Sequence, residues 1–128
     1  MKLIKFTEIG KSYTPRASIS KTGLIGLNNG ARKRFNLDNY TRGVLYFDED
    51  SGNICIELTT DVNAVGAQKI RFRPTGADIA GRSFLSFFGI EINETLICPI
   101  NRDEETGFLF IDRSCGVVRG KPKKRSEN

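Results

Sequence analysis

Alternation of apolar and polar residues marks short strands along most of the chain. Ala17-Ser18-Ile19-Ser20 and Leu24-Ile25-Gly26-Leu27 alternate on either side of a Lys21-Thr22-Gly23 turn, which predicts a hairpin. Asn28 or Asn29 then caps a short helix through Phe35, because an Asn side chain accepts the first free backbone N–H groups. Ala31 and Phe35 stand four apart and face the core, which leaves Arg32, Lys33 and Arg34 outward. Gly43 to Phe47 and Asn53 to Thr59 predict a second hairpin around Asp-Ser-Gly. The same order then returns. Strands are expected at Gln68 to Arg73 and Ala77 to Ala80, a helix at Arg82 to Phe88, and a hairpin over Thr95 to Asn101 and Phe108 to Asp112. Lys2 to Thr7 reads as an extra strand, and Glu8 to Arg16 as a linker broken by Gly10 and Pro15.

The repetition extends to residues. Lys21-Thr22-Gly23 matches Pro74-Thr75-Gly76, and Phe35-Asn36-Leu37 matches Phe88-Gly89-Ile90, both at an offset of 53. Asp48-Glu49-Asp50-Ser51-Gly52 matches Asp103-Glu104-Glu105-Thr106-Gly107 at an offset of 55. Matches in the same order imply an internal duplication. The expected fold is mainly β with two short helices, two β-β-α-β-β repeats forming a small barrel-like pseudo-dimer. Residues 1–16 are the strand and linker, 17–66 and 67–118 the repeats, and 119–128 a disordered basic tail, all in one compact domain.

Charge follows the duplication. The net charge of +5 divides into +7 over residues 1–46, −5 over 47–66, +3 over 67–90, −4 over 91–118 and +4 over 119–128. Each half thus has a basic β-β-α portion and an acidic hairpin, and twofold packing would put the basic portions on one face. In Lys69-Ile70-Arg71-Phe72-Arg73, the period of two sets Lys69, Arg71 and Arg73 on the face opposite Ile70 and Phe72. Three cations at about 7 Å spacing can track a phosphate backbone, each contact adding affinity through counterion release. In the tail, Lys121, Lys123, Lys124 and Arg125 lack an apolar pattern and suit an accessory nucleic-acid arm.

Other chemistry is constrained. The chain has no His, which excludes Ser-His-Asp and Cys-His nucleophiles and His-ligated zinc. Asp48-x-Asp50-x-Gly52 begins like a calcium loop, but its glycine comes one position early and no Glu closes a twelve-residue loop, so it reads as a hairpin turn. Cys55, Cys98 and Cys115 are widely spaced and read as small buried hydrophobes in a cytoplasmic protein. No stretch has the length of a membrane helix. Most of the nine Phe read as core, with one of Phe84, Phe87 and Phe88 left over for solvent or a partner chain. The carboxylates at the turn tips lack apolar surroundings that would shift a pKa, and no enzyme, cofactor or metal is expected.

The run from Ser20 to Asn28, followed by Ala31-Arg32-Lys33-Arg34-Phe35-Asn36-Leu37 and a hairpin, resembles the AbrB/MazE/SpoVT swapped-hairpin family of DNA-binding domains. Gly23 matches the turn glycine, Arg32 and Lys33 the paired cations, and Phe35-Asn36-Leu37 the apolar-Gly-apolar helix end. Leu24 replaces the turn arginine, Asn28 the proline, and Leu85 and Ser86 stand where the second half would carry cations. The resemblance implies a barrel of interlocked hairpins and double-stranded DNA binding. In a shifted frame, four strands from Gly43 followed by the helix at Arg82 are similar to the Whirly single-stranded nucleic-acid binders. The resulting expectation is a DNA-binding protein of regulatory or accessory type, DNA before RNA, through Lys21, Arg32, Lys33, Arg34, Lys69, Arg71, Arg73 and the tail. A single-stranded binder and a phage or mobile-element interaction module are the alternatives. A homodimer and a protein partner at Phe84, Phe87 and Phe88 complete the expected contacts.

Overall fold

The computed structural model describes residues 1–10 and 13–120. The first repeat folds as β1 (Arg16–Ile19), β2 (Leu24–Asn28), helix α1 (Asn29–Arg34), β3 (Arg42–Phe47) and β4 (Ile54–Thr59). The second folds as β5 (Ala67–Arg73), β6 (Gly76–Ala80), helix α2 (Arg82–Phe87), β7 (Leu96–Arg102) and β8 (Leu109–Ile111). A two-residue strand, β9 (Val117–Val118), pairs with the start of β7.

Among the described residues eight strands close into an antiparallel barrel in the order β1-β2-β6-β5-β3-β4-β8-β7, and β7 returns to β1. The two hairpins of each repeat are not neighbours in this ring. Hairpin β1–β2 lies between β7 and β6 of the other repeat, and hairpin β3–β4 lies between β5 and β8. Cys55 and Phe110, counterparts at an offset of 55, pair with each other, with Ile54↔Ile111 and Ile56↔Leu109 on either side. A pseudo-twofold axis through that pair requires this register.

The duplicated turns share most of their hydrogen bonds, differing where Asp48 accepts from Asp50 N–H and Asp103 from Thr106 N–H. Gly52 N–H donates to Asp48 O and Gly107 N–H to Asp103 O, both at 2.7 Å. Asp48 Oδ2 accepts from Ser51 Oγ at 2.6 Å, and Asp103 Oδ2 from Thr106 Oγ1 at 2.7 Å. Gly52 and Gly107 hold φ of 76° and 75°, a left-handed conformation open to glycine. The calcium-like spacing is therefore a turn signature. Both helices also end alike, with Asn36 (φ 52°) and Gly89 (φ 65°) left-handed at matching positions.

The core is aliphatic. Ile19, Ile25, Ile54, Ile56, Ile79 and Ile111 are fully buried, as suits a small barrel whose interior is just wide enough for side chains. The expectation of a phenylalanine core is corrected, since Phe35 is the buried one among the described residues. Rings too large for the lumen lie outside it, at the barrel ends and on its outer wall. The cysteines divide similarly. Cys98 is buried, its thiol pushed up to about 11 by desolvation, whereas Cys55 is half-buried and Cys115 exposed. Residues 2–7, expected as a strand, form none. Closure of the ring leaves them no long sheet edge, so they extend with Leu3, Ile4 and Phe6 in solvent. Among the described residues no helix is long and apolar enough to cross a membrane.

Candidate nucleic-acid interface

Closure places both basic hairpins side by side. Ala17, Ile19, Ile25, Leu27, Ala77, Ile79 and Ile70 point into the barrel, so the alternate residues of β1, β2, β6 and β5 face out. Arg16 and Ser18 stand on β1, Leu24, Gly26 and Asn28 on β2, Asp78 on β6, and Lys69, Arg71 and Arg73 on β5. The middle of this wall is low because Gly26 has no side chain; a Cβ there would come within 2.5 Å of Ser18 Oγ. The result is a shallow trough of about 330 Å³ whose banks carry Arg16, Arg73 and Arg119.

Asp78 sits in the floor, 3 % exposed, opposite Gly26. Arg71, its cross-strand partner, donates from Nε to Oδ1 at 2.7 Å, and Arg73 Nε donates to Oδ2. One carboxylate therefore fixes two guanidinium groups whose side chains remain 45 % and 52 % exposed. Such a charge-assisted fork holds both arginines in one geometry and leaves N–H donors of each toward solvent. Asp78 is the one acid of residues 67–90, a signal visible in the sequence whose meaning needs the register.

α1 supplies the adjoining cations. Asn28 caps it, accepting from Ala31 N–H at 2.9 Å and also from Arg16 N–H at 3.0 Å, while its Nδ2 donates to Thr14 O at 2.8 Å. Lys33 and Arg34 are exposed as expected. Arg32, expected outward as a nucleic-acid contact, is half-buried and engaged within the chain. It donates from Nε to Asp38 Oδ1 at 2.6 Å and from Nη1 to Arg73 O at 3.1 Å and Gly76 O at 3.2 Å. Its guanidinium also lies 4.8 Å from the centroid of Phe72. Arg32 is thus a brace between α1 and the β5–β6 turn, and its bond to Asp38 holds that carboxyl below the usual range.

The remaining sites separate. Lys69 is exposed at the other end of β5, paired with Arg42. Lys21 lines a different hollow, with Arg82 and Ser86 near α2. Lys121, Lys123, Lys124 and Arg125 lie outside the described residues. Arg16 is not among the expected sites, and Arg119, expected as the first residue of the disordered tail, instead donates its N–H to Thr95 O at 2.8 Å. Arg16 shares the parity of Ser18 and was legible as outward, whereas Arg119 reaches the trough only because β9 returns along β7. Asp48 and Asp103, held low by their turn hydrogen bonds, belong to the hairpins β3–β4 and β7–β8, outside the wall that carries the trough. Comparison with protein-family models, with curated proteins and with solved structures finds no match.

Proposed function

We propose that this protein binds DNA as a regulatory or accessory factor, through the outer wall formed by β1, β2, β6 and β5 together with α1. The observation that carries the reading is the pair Arg71 and Arg73, fixed by the buried carboxylate of Asp78, with Arg16 and Arg119 lining the same trough as Arg73. A sheet that uses an internal acid to orient two half-exposed guanidiniums presents phosphate-binding forks at little entropic cost. The exchange of hairpins between β-β-α-β-β units is also what resemblance to the AbrB/MazE/SpoVT family implies, and it supports the same reading.

Titration of duplex, single-stranded and noncognate DNA at several salt concentrations tests it. Duplex affinity should fall steeply with salt, and Arg71→Ala and Arg73→Ala should each lower the slope of log K against log salt by about one. Charge reversal at Lys33 and Arg73 should weaken binding more than reversal at Asp103 and Glu104. Absence of binding at low salt defeats the proposal and leaves a protein-interaction module, a non-enzymatic role in either case. A second reading, a single-stranded binder of Whirly-like type, draws on the contiguous order β4-β3-β5-β6 and on Phe72, 40 % exposed at the same turn. Preference for unpaired strands, lost in Phe72→Ala, would favour it.

A further inference from the structure

Among the described residues two clusters of exposed apolar side chains stand at opposite ends of the barrel. The first is the N-terminal arm. Leu3, Ile4, Phe6 and Ile9 are exposed by between 67 % and 88 %, and the only charges over residues 1–7 are Lys2 and Lys5. The arm is anchored beside α1, where the backbone of Tyr13 and Thr14 packs so closely on Gly30 that a Cβ at Gly30 would come within 2.5 Å of it. The second surface is the aromatic cluster of α2. Phe88 stacks on Phe47 at 4.7 Å between ring centroids, Phe87 meets Phe88 edge-on at 4.9 Å, and Phe84 lies 5.1 Å away. Phe87 is 81 % exposed and Phe88 40 %. A contiguous aromatic patch of this kind on a small protein marks an interaction surface.

We propose that the arm of one copy docks on the Phe84–Phe87–Phe88 patch of a second copy, so that two chains exchange arms. Charge is complementary. Phe47 runs directly into Asp48-Glu49-Asp50, and Glu91 follows Phe88 by three residues; these four acids outnumber the nearby cations Lys21, Arg82 and Arg113 and complement Lys2 and Lys5. Reach is sufficient. Residues 1–7, ahead of Glu8 whose carboxylate accepts from Tyr13 Oη at 3.2 Å, span about 24 Å when extended, enough to cross the aromatic patch of a copy packed alongside. The chain's own patch is not the arm's seat, since the apolar side chains of both are in solvent. The ends differ because α1 follows the end of β2 that pairs with Gly76, and α2 follows the end of β6 that pairs with Leu24. This proposal does not depend on the DNA-binding reading.

Sedimentation of the full chain over a wide concentration range tests it. The wild-type chain should form a dimer. Phe6→Glu and Phe87→Glu should each weaken self-association by about tenfold or more, with circular dichroism and thermal melting confirming that both variants remain folded. Mixed together, they should recover part of the dimer, because Phe6→Glu keeps an intact patch and Phe87→Glu an intact arm. A merely structural defect would not be rescued by mixing. A monomeric wild-type chain at every concentration overturns the proposal. So does a dimer that survives either variant, and so does a mixture that stays monomeric.

Discussion

Asn28 joins three parts of the chain through one side chain. Its carboxamide oxygen accepts from Ala31 and Arg16, and its nitrogen donates to the carbonyl of Thr14. Asn28→Ala should therefore cost about 1–3 kcal/mol, more than an isolated helix cap, and urea denaturation measures it. Asp78 has a different role. Its removal leaves two guanidiniums without their shared acceptor, but these are half exposed and regain water. Asp78→Ala should cost about 1–3 kcal/mol, below the range for a fully buried pair. It should also loosen the geometry of Arg71 and Arg73, so that, on the proposed DNA-binding reading, affinity for duplex DNA does not rise despite the added positive charge. Arg32 shows how a cation can be structural. Arg32→Lys keeps the charge but cannot reach Asp38, Arg73 O and Gly76 O together, and a lowered melting temperature should follow.

At the scale of elements, the hairpin turns depend on ionised carboxylates. Asp48 and Asp103 accept backbone and hydroxyl hydrogen bonds within their turns, and these bonds hold both carboxyls below the usual range. Asp38 and Asp112 are lowered likewise, by Arg32 and by Ser114. A carboxyl whose folded pKa lies below its unfolded value adds stability above the unfolded value, and that stability is lost as pH falls through the folded one. Stability should thus be level above about pH 5 and decline below about pH 4. Urea midpoints at a series of pH values check this, and Asp48→Asn with Asp103→Asn should flatten the acid limb. The helices are short because each only turns the chain between hairpins, and the left-handed residue after each one ends it.

The whole molecule depends on interlocking. Within one repeat, hairpin β1–β2 makes its sheet contacts with β6 and β7, and hairpin β3–β4 with β5 and β8. A fragment of residues 1–66 therefore lacks the strands its hairpins pair with. It should be unfolded when dilute and gain structure only by association with residues 67–128 or with itself. Circular dichroism of each fragment, alone and mixed, decides the matter, and a folded monomer of residues 1–66 would contradict the topology. The two pseudo-equivalent ends have diverged. α1 carries Arg32, Lys33 and Arg34 where α2 carries Leu85, Ser86 and Phe87. One end is basic and the other aromatic, which suits a molecule with two different contacts rather than one repeated contact.

The sequence by itself determined the elements and their repetition. Period-two alternation set the strands, Asn28 or Asn29 the helix start, and paired Asp-to-Gly turns the duplication, because each of these is a local constraint on the backbone. The outward direction of Lys69, Arg71 and Arg73 was legible for the same reason. What only the tertiary structure decided is which strands meet. Ring closure put β2 against β6, and so opened a trough over Gly26, buried Asp78 beneath two arginines and drew Arg119 alongside. The same closure fixed a narrow lumen that admits isoleucine and excludes most phenylalanines, and it left residues 2–7 with no strand to join. Arg32 became a brace because Asp38 and the 73–76 turn arrive beside it from elsewhere in the chain. Strand pairing and lumen width are long-range quantities, so no local pattern encodes them.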